Sequence, residues 1–126
     1  MVSRDLQQVK KIVVKVGTNL ISGNGGIDDK RIDQVVSQIV QLQKRGISVL
    51  LVTSGAIGWG AKELGLHQKV QTVVMIQTCA SIGQPILMSH YRAAFSKYGV
   101  VCAQVLITKR ELNDRKTFVN LKNSVT

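Results

Sequence analysis

Two short stretches hold residue types that could do chemistry. Lys15-Val16-Gly17-Thr18-Asn19 sets an ammonium group two residues before a glycine and a hydroxyl, and Thr53-Ser54-Gly55-Ala56 sets two hydroxyls before a second glycine. Neither stretch holds a nucleophile paired with a base, nor two carboxylates for acid–base work. Both suit the holding of an anion. A lysine is a compact charge with three donors, the hydroxyls of Ser and Thr donate in any direction their rotors allow, and a glycine lets a ligand approach the backbone amide closely. A small carboxylate or a phosphate is therefore the ligand class. The G-x-x-x-x-G-K-[ST] order is absent, so this is no Walker A loop. Lys15 also has a plainer reading as an edge-strand lysine reaching solvent, and Gly23 to Gly26 reads as a flexible turn.

The elements that must position these residues follow from hydrophobic pattern. Ile12-Val13-Val14-Lys15-Val16 reads as a short strand, with its lysine tolerable at the strand end beside an anionic partner. Ile47 to Thr53 is apolar with almost no polar alternation and is bounded by Gly46 and Gly55, the signature of a strand buried on both faces. Between them Asp28 and Asp29 open a helix, and Ile32, Val35, Val36, Ile39, Val40 and Leu42 form one apolar face opposite Gln34, Gln38, Gln41 and Lys44. Lys44-Arg45-Gly46 closes it with cations and a glycine free to turn left-handed. A strand–helix–strand unit makes parallel neighbours through a right-handed crossover. Both strands then end on one rim, and ligands of open parallel sheets bind outside such carboxyl ends. Lys15 and Ser54 should face one shared crevice.

Beyond Gly55, a helix opening at that residue and stopping at Gly65 would offer its first N–H groups beside Ser54. Trp59, between two glycines, reads as a packing residue. Gln71 to Ser96 reads as a long helix with a kink or break near Gly83, because Pro85 lies inside it. His67 and His90 read as surface or packing histidines. Tyr98-Gly99 ends that helix, and Val100 to Ile107 reads as a third strand with Thr108 at its end. Glu111 to Lys116 reads as a charged loop in which Asn113 caps a last helix from Arg115 onward, one that Thr126 interrupts. Residues 1 to 9 read as a loose arm or a short helical turn.

Composition narrows the class. With 126 residues and 44% apolar content, the chain is long enough for one domain with its own core. No apolar run approaches the roughly 18 residues of a membrane span, and the first residues lack a signal-peptide pattern. Cys79 and Cys102 are then expected as reduced core thiols of a cytoplasmic protein, and with only two histidines about they form no zinc pattern. The net charge of +10, from 17 basic and 7 acidic residues, admits nucleic acid or a phosphorylated substrate. The basic residues are scattered and aromatics make up only 4%, which leaves few stacking platforms and weighs against nucleic acid.

Val13-Val14-Lys15-Val16-Gly17-Thr18-Asn19, Val52-Thr53-Ser54-Gly55-Ala56-Ile57 and Leu112-Asn113-Asp114-Arg115-Lys116-Thr117-Phe118-Val119-Asn120 resemble segments of the gamma-glutamyl kinases (glutamate 5-kinases) of the amino-acid kinase superfamily. The likeness runs over residues 10 to 126, and the V-T-S-G-A-I segment is its specific part. It implies an α/β fold: a three-layer αβα sandwich with a mainly parallel sheet, here truncated. It implies transfer of the ATP γ-phosphoryl group to the γ-carboxylate of L-glutamate, the first step of proline synthesis, with Mg2+ carried on the nucleotide phosphates. In that resemblance Lys15 is the catalytic and phosphate-contacting lysine, Gly17 and Thr18 offer amides to the ATP phosphates, and Ser54, Gly55 and Ala56 hold glutamate. No residue of the chain is matched to a metal.

Members of that family carry, in a later half, an Asn-Asp segment that contacts glutamate, a catalytic aspartate, a second phosphate-binding lysine and the adenine pocket. Many also carry a C-terminal RNA-binding-like domain. Residues 1 to 126 are accordingly expected to be the N-terminal, acceptor-binding half of the kinase domain without its nucleotide-binding half. Such a chain should bind ATP poorly alone and self-associate through an unprotected sheet edge and an exposed apolar helix face. A non-catalytic module that binds a small carboxylate, another member of the superfamily, and a basic nucleic-acid-binding domain are the alternatives.

Overall fold

The computed structural model describes residues 8–23, 26–68 and 70–125. The expectations for the first seven residues and for Thr126 lie outside them. Two parallel strands form the frame. Strand β1 (Lys11–Val16) pairs with β4 (Ser48–Thr53) in continuous register, from Lys11 opposite Ser48 to Val16 opposite Thr53. After β1 a single 3-10 turn (Thr18–Leu20) leads to a small antiparallel hairpin of β2 (Ser22–Gly23) and β3 (Gly26–Ile27). Gly23 pairs with Gly26 at the two ends of the expected flexible turn, whose central residues Asn24 and Gly25 lie outside the described residues.

Helix α1 (Asp29–Lys44) makes the crossover, and its boundaries follow from side-chain chemistry. The Asp28 carboxylate accepts from the backbone N–H groups of Lys30 and Arg31, two donors that a helix start leaves open. Gly46, at φ +80°, releases the chain at the other end. Ile32, Val36, Ile39 and Val40 are buried, as their spacing predicts. Helix α2 (Ala56–Glu63) follows β4 and stops at Gly65, at φ +68°.

Helix α3 (Val73–Ser96) starts at the Thr72 cap and runs through Pro85 as one element, so of the kink or break expected near Gly83 the division into two helices does not occur. The reason lies in its packing on α2. A Cβ on Gly60 would stand 1.8 Å from the Cys79 carbonyl oxygen, and one on Gly83 would stand 1.7 Å from the Ala56 carbonyl oxygen. Two glycines, one per helix, let the backbones touch at Cys79 and Gly83, the turn of α3 that leads into Pro85.

The core lies between the sheet, α1 and α3, and is built from Val16, Ile21, Ile32, Val36, Ile39, Val40, Leu87, Tyr91, Ala94 and Phe95. Val14, Val49 and Leu51 pack against it from the strands. Burying such side chains contributes about 1.5–3 kcal/mol each. Surface contacts tie α3 to α1, a salt bridge from Lys97 to Asp33 at 2.6 Å and a hydrogen bond between His90 Nδ1 and Asp29 Oδ1 at 2.5 Å. His90 is thus a surface-pair residue. The Asp33 hydrogen bond raises the Lys97 ammonium above its ordinary range.

Two expectations about the sheet are corrected. Strand β4 is not buried on both faces: its residues alternate, and Leu50 and Val52 stay 41% and 45% exposed beside Val13 on the outward side. The described residues supply the sheet and one helical layer, and among them none buries Val13, Leu50 or Val52 on the outward face. The segment 100–107 is also no strand. It carries no ladder hydrogen bonds among the described residues, and Val101 is 93% exposed.

The region after it is corrected too. Lys109–Asn113 is a short helix, α4, where a charged loop is expected, opened by a reciprocal cap between Thr108 and Glu111. Helix α5 (Arg115–Val125) is capped by Asp114 rather than Asn113: the Asp114 carboxylate accepts from the Thr117 N–H at 2.8 Å and from its hydroxyl.

Candidate anion-binding rim

The parallel register brings both strand ends to one rim, with Val16 opposite Thr53. Gly17, extended at φ −77° and ψ 158°, turns the chain into the 3-10 turn, and Leu20 donates back to the Gly17 carbonyl at 3.1 Å. The opening N–H groups of such a turn have no acceptor inside it. The turn is braced from several sides. The Ser22 hydroxyl donates to the Thr18 carbonyl at 2.7 Å. Arg31 donates to the carbonyls of Ser22 at 3.0 Å and Asn19 at 3.4 Å while pairing with Asp28 at 3.2 Å. Helix α1 therefore fixes the loop that follows β1.

On the β4 side the chain passes Ser54 and turns at Gly55, whose φ of +121° suits glycine alone. Helix α2 opens there with no side-chain cap, so its first N–H groups face the rim without a covalent neighbour to accept them. The two halves meet at the hydroxyls: Thr18 Oγ1 and Ser54 Oγ lie 3.2 Å apart. Below them Thr53 Oγ1 and the Tyr91 hydroxyl are 3.0 Å apart, which anchors the end of β4 to α3. Burial pushes the Tyr91 phenol above its ordinary range, and the Thr53 hydrogen bond pulls the other way more weakly.

Of the residues named from the sequence, Gly17, Thr18, Ser54, Gly55 and Ala56 come together at this junction. Lys15 stands at the same end of the sheet, opposite Val52, with its side chain exposed. The set contains no carboxylate. Its chemistry is that of hydroxyls, backbone amides and one ammonium, which suits an anion and not a bare cation.

One residue read only as packing also belongs to the rim. Trp59 packs against the core from α2, and its backbone N–H donates to the Gly55 carbonyl at 3.1 Å. Its indole N–H lies against Gly55, 2.9 Å from where a Cβ on that residue would stand. The four-residue spacing from Gly55 was the available signal, since it sets the two residues one helical turn apart.

The cysteines are both free thiols, Cys79 buried and Cys102 half-buried. Among the described residues no helix is long and apolar enough to cross a membrane, and no cluster of three metal-ligating side chains occurs.

Comparison with known proteins gives the chain its relatives. The chain is 41% identical to a glutamate 5-kinase of Methanosarcina acetivorans over 95% of its own length and 33% of that protein's. It is 37% identical to one of Syntrophus aciditrophicus over 96% of its length and 31% of the relative's. A third, from Clostridium acetobutylicum, is 38% identical over 94% of this chain and 45% of the relative. The chain thus spans about a third to under a half of the length of these curated relatives. The family model for the amino acid kinase family matches residues 10–126. With that match running from β1 to the end of α5, the chain belongs to the amino acid kinase family.

Proposed function

We propose that the chain forms the acceptor side of a glutamate 5-kinase site, in which the γ-phosphoryl group of ATP passes to the γ-carboxylate of L-glutamate. The observation that carries this reading is the 3.2 Å Thr18–Ser54 hydroxyl pair at the joined ends of β1 and β4, facing the open start of α2. Ser54 with the Gly55 and Ala56 amides holds the acceptor carboxylate, and the Gly17 and Thr18 amides hold phosphate oxygens. Lys15 neutralises charge between the two anions as they approach.

Phosphoryl transfer needs in-line positioning and charge neutralisation more than covalent chemistry from the protein. A carboxylate oxygen attacks the γ-phosphorus, the bond to the β–γ bridging oxygen breaks, and ADP leaves with the electron pair. No general base is needed, because the attacking carboxylate is already ionised at neutral pH. Mg2+ accompanies the nucleotide phosphates and is part of the substrate. In this reading residues 1–126 are the acceptor-binding half of the kinase domain, and the nucleotide side comes from outside them. The protein works in the cytoplasm as a homo-oligomer in the first step of proline synthesis.

The test has two arms. Titration of the 15N-labelled chain with L-glutamate is expected to move the Ser54, Gly55 and Ala56 amide resonances, while uridylate leaves them in place. When the nucleotide side is present, ATP, Mg2+ and L-glutamate should yield an acyl phosphate that hydroxylamine traps as the hydroxamate, and Lys15→Ala should lower that yield at least 100-fold, the scale of losing one transition-state charge contact. Unmoved rim amides would refute the acceptor assignment. A wild-type hydroxamate yield from Lys15→Ala would remove Lys15 from the chemistry.

A further inference from the structure

The loop after β1 has nearly all its carbonyls engaged. The Gly17 carbonyl accepts from the Leu20 N–H at 3.1 Å, and the Thr18 carbonyl accepts from the Ile21 N–H at 3.2 Å and the Ser22 hydroxyl at 2.7 Å. The Ile21 carbonyl accepts from the Asp28 N–H at 2.8 Å. The Asn19 and Ser22 carbonyls share one guanidinium nitrogen, Nη1 of Arg31, at 3.4 Å and 3.0 Å, while Arg31 Nε pairs with the Asp28 carboxylate at 3.2 Å. A carbonyl repels an anion and an N–H attracts one, so peptide direction decides what such a loop can hold. No peptide among the described residues is cis, and in a trans peptide the C=O and N–H point opposite ways. Holding one residue's carbonyl therefore aims the N–H of the next. Arg31 on the Asn19 carbonyl aims the Leu20 N–H at the Gly17 carbonyl, and that bond aims the Thr18 N–H the other way, where no acceptor meets it among the described residues.

We propose that Arg31 is a positioning residue for the phosphate side of the rim: its fork clamps the carbonyl end of the 3-10 turn, so that the amide end stays free for phosphate oxygens. The inference rests on the reading of the Gly17 and Thr18 amides as phosphate donors. The planar fork is what the clamp needs, because Nε holds Asp28 while Nη1 spans two carbonyls. A lysine has one nitrogen on a flexible stem and cannot keep that geometry. Asp28 serves the clamp twice, its carboxylate orienting Arg31 and its N–H taking the Ile21 carbonyl. The clamp also divides the rim. All the Arg31 contacts lie on the β1 side, on Asn19, Ser22 and Asp28, so the Ser54–Ala56 side is expected to be indifferent to it.

Inorganic pyrophosphate probes the phosphate side and L-glutamate the acceptor side, each titrated into the 15N-labelled chain at constant ionic strength. Pyrophosphate is expected to move the Gly17 and Thr18 amides of the parent chain. Arg31→Lys keeps the charge and removes the fork, and should weaken pyrophosphate binding about tenfold, the scale of one charged hydrogen bond; Arg31→Gln should weaken it at least as much. L-Glutamate binding, read at Ser54, Gly55 and Ala56, should stay within about twofold of the parent in both variants. The Leu20 amide, no longer aimed at the Gly17 carbonyl, should exchange with solvent faster in Arg31→Lys, while the Val36 and Ile39 amides of α1 keep their parent rates.

Parent-like pyrophosphate binding by Arg31→Lys would overturn the inference, since charge alone would then suffice. Equal losses of pyrophosphate and L-glutamate binding would overturn it too, as the mark of a general loosening of the fold. Either result leaves the rim assignment standing. Gly17 and Thr18 amides that ignore pyrophosphate in the parent chain would refute the phosphate side of the rim, and this inference with it.

Discussion

At the scale of single residues, the end of β4 is held by a hydrogen bond that has nothing to do with the ligand. Thr53 and Tyr91 join the strand to α3 through their hydroxyls, 3.0 Å apart, and Tyr91 is only 2% exposed. Thr53→Val keeps the shape and leaves the buried phenol hydroxyl without its partner, so it should cost about 1 kcal/mol or somewhat more. Denaturant midpoints of Thr53→Val and Tyr91→Phe against the parent chain measure this. The same pair gives a pH signature. Burial raises the phenol in the folded state above its unfolded value near 10.0, so its contribution is complete below that pH and is lost as pH rises through the folded value. Unfolding midpoints between pH 8 and 11 should fall less steeply for Tyr91→Phe than for the parent, and identical slopes would contradict the assignment. The rim itself was legible in the sequence because its chemistry sits in short polar stretches, Thr18 and Ser54, at the ends of apolar runs. Tyr91 and Trp59 were not, since an aromatic among aliphatic residues looks the same whether its polar end is idle or bonded.

At the scale of elements, the α2–α3 contact depends on two glycines and is indifferent to a third. Gly60→Ala and Gly83→Ala would each drive a Cβ into a carbonyl of the facing helix, at 1.8 Å and 1.7 Å. Each should destabilise by about 1–3 kcal/mol or more, since a close-packed contact cannot give way locally. Gly58 lies in the same helix with nothing within 4 Å of a Cβ, and Gly58→Ala should stabilise by up to about 1 kcal/mol through helix propensity. Opposite signs from neighbouring glycines in one urea series would establish the contact; three similar shifts would refute it. The capped helices give a second element-scale outcome. Hydrogen bonds from Thr108 and Thr117 hold the Glu111 and Asp114 carboxyls below their ordinary ranges, so the caps stabilise above the unfolded carboxylate values and fail as pH falls through the folded ones. Amides of α5 should lose exchange protection on acidification before those of α1, and Asp114→Ala should abolish that pH dependence. Local signals made most elements readable: Asp28 and Gly46 bound α1, and Gly65 and Gly99 end their helices. The segment 100–107 has strand composition, but a strand also needs a neighbour to pair with, which composition does not supply.

At the scale of the whole molecule, the sheet is the unfinished part. Its inner face is packed by α1 and α3, whereas Val13, Leu50 and Val52 on the outward face are 67%, 41% and 45% exposed, and β4 has one edge without a strand beside it among the described residues. A bare edge next to an apolar face is a template for pairing. Opposing it is the net charge of +10, which makes two copies repel at low ionic strength. Salt separates the two effects. The Debye length falls from about 30 Å at 0.01 M to about 8 Å at 0.15 M, while the burial of apolar surface is little affected over that range. Self-association of the chain should therefore rise with salt, opposite to binding of nucleic acid by the same charges, which weakens as counterions compete. Sedimentation velocity at the two ionic strengths is the measurement. The parent chain is expected to shift toward a dimer at the higher salt, and Leu50→Gln with Val52→Thr, both on the outward face, should hold it monomeric without a change in its unfolding midpoint beyond about 0.5 kcal/mol. A chain that stays monomeric at both salts, with its repulsion screened at the higher one, would show that the open sheet does not drive self-association.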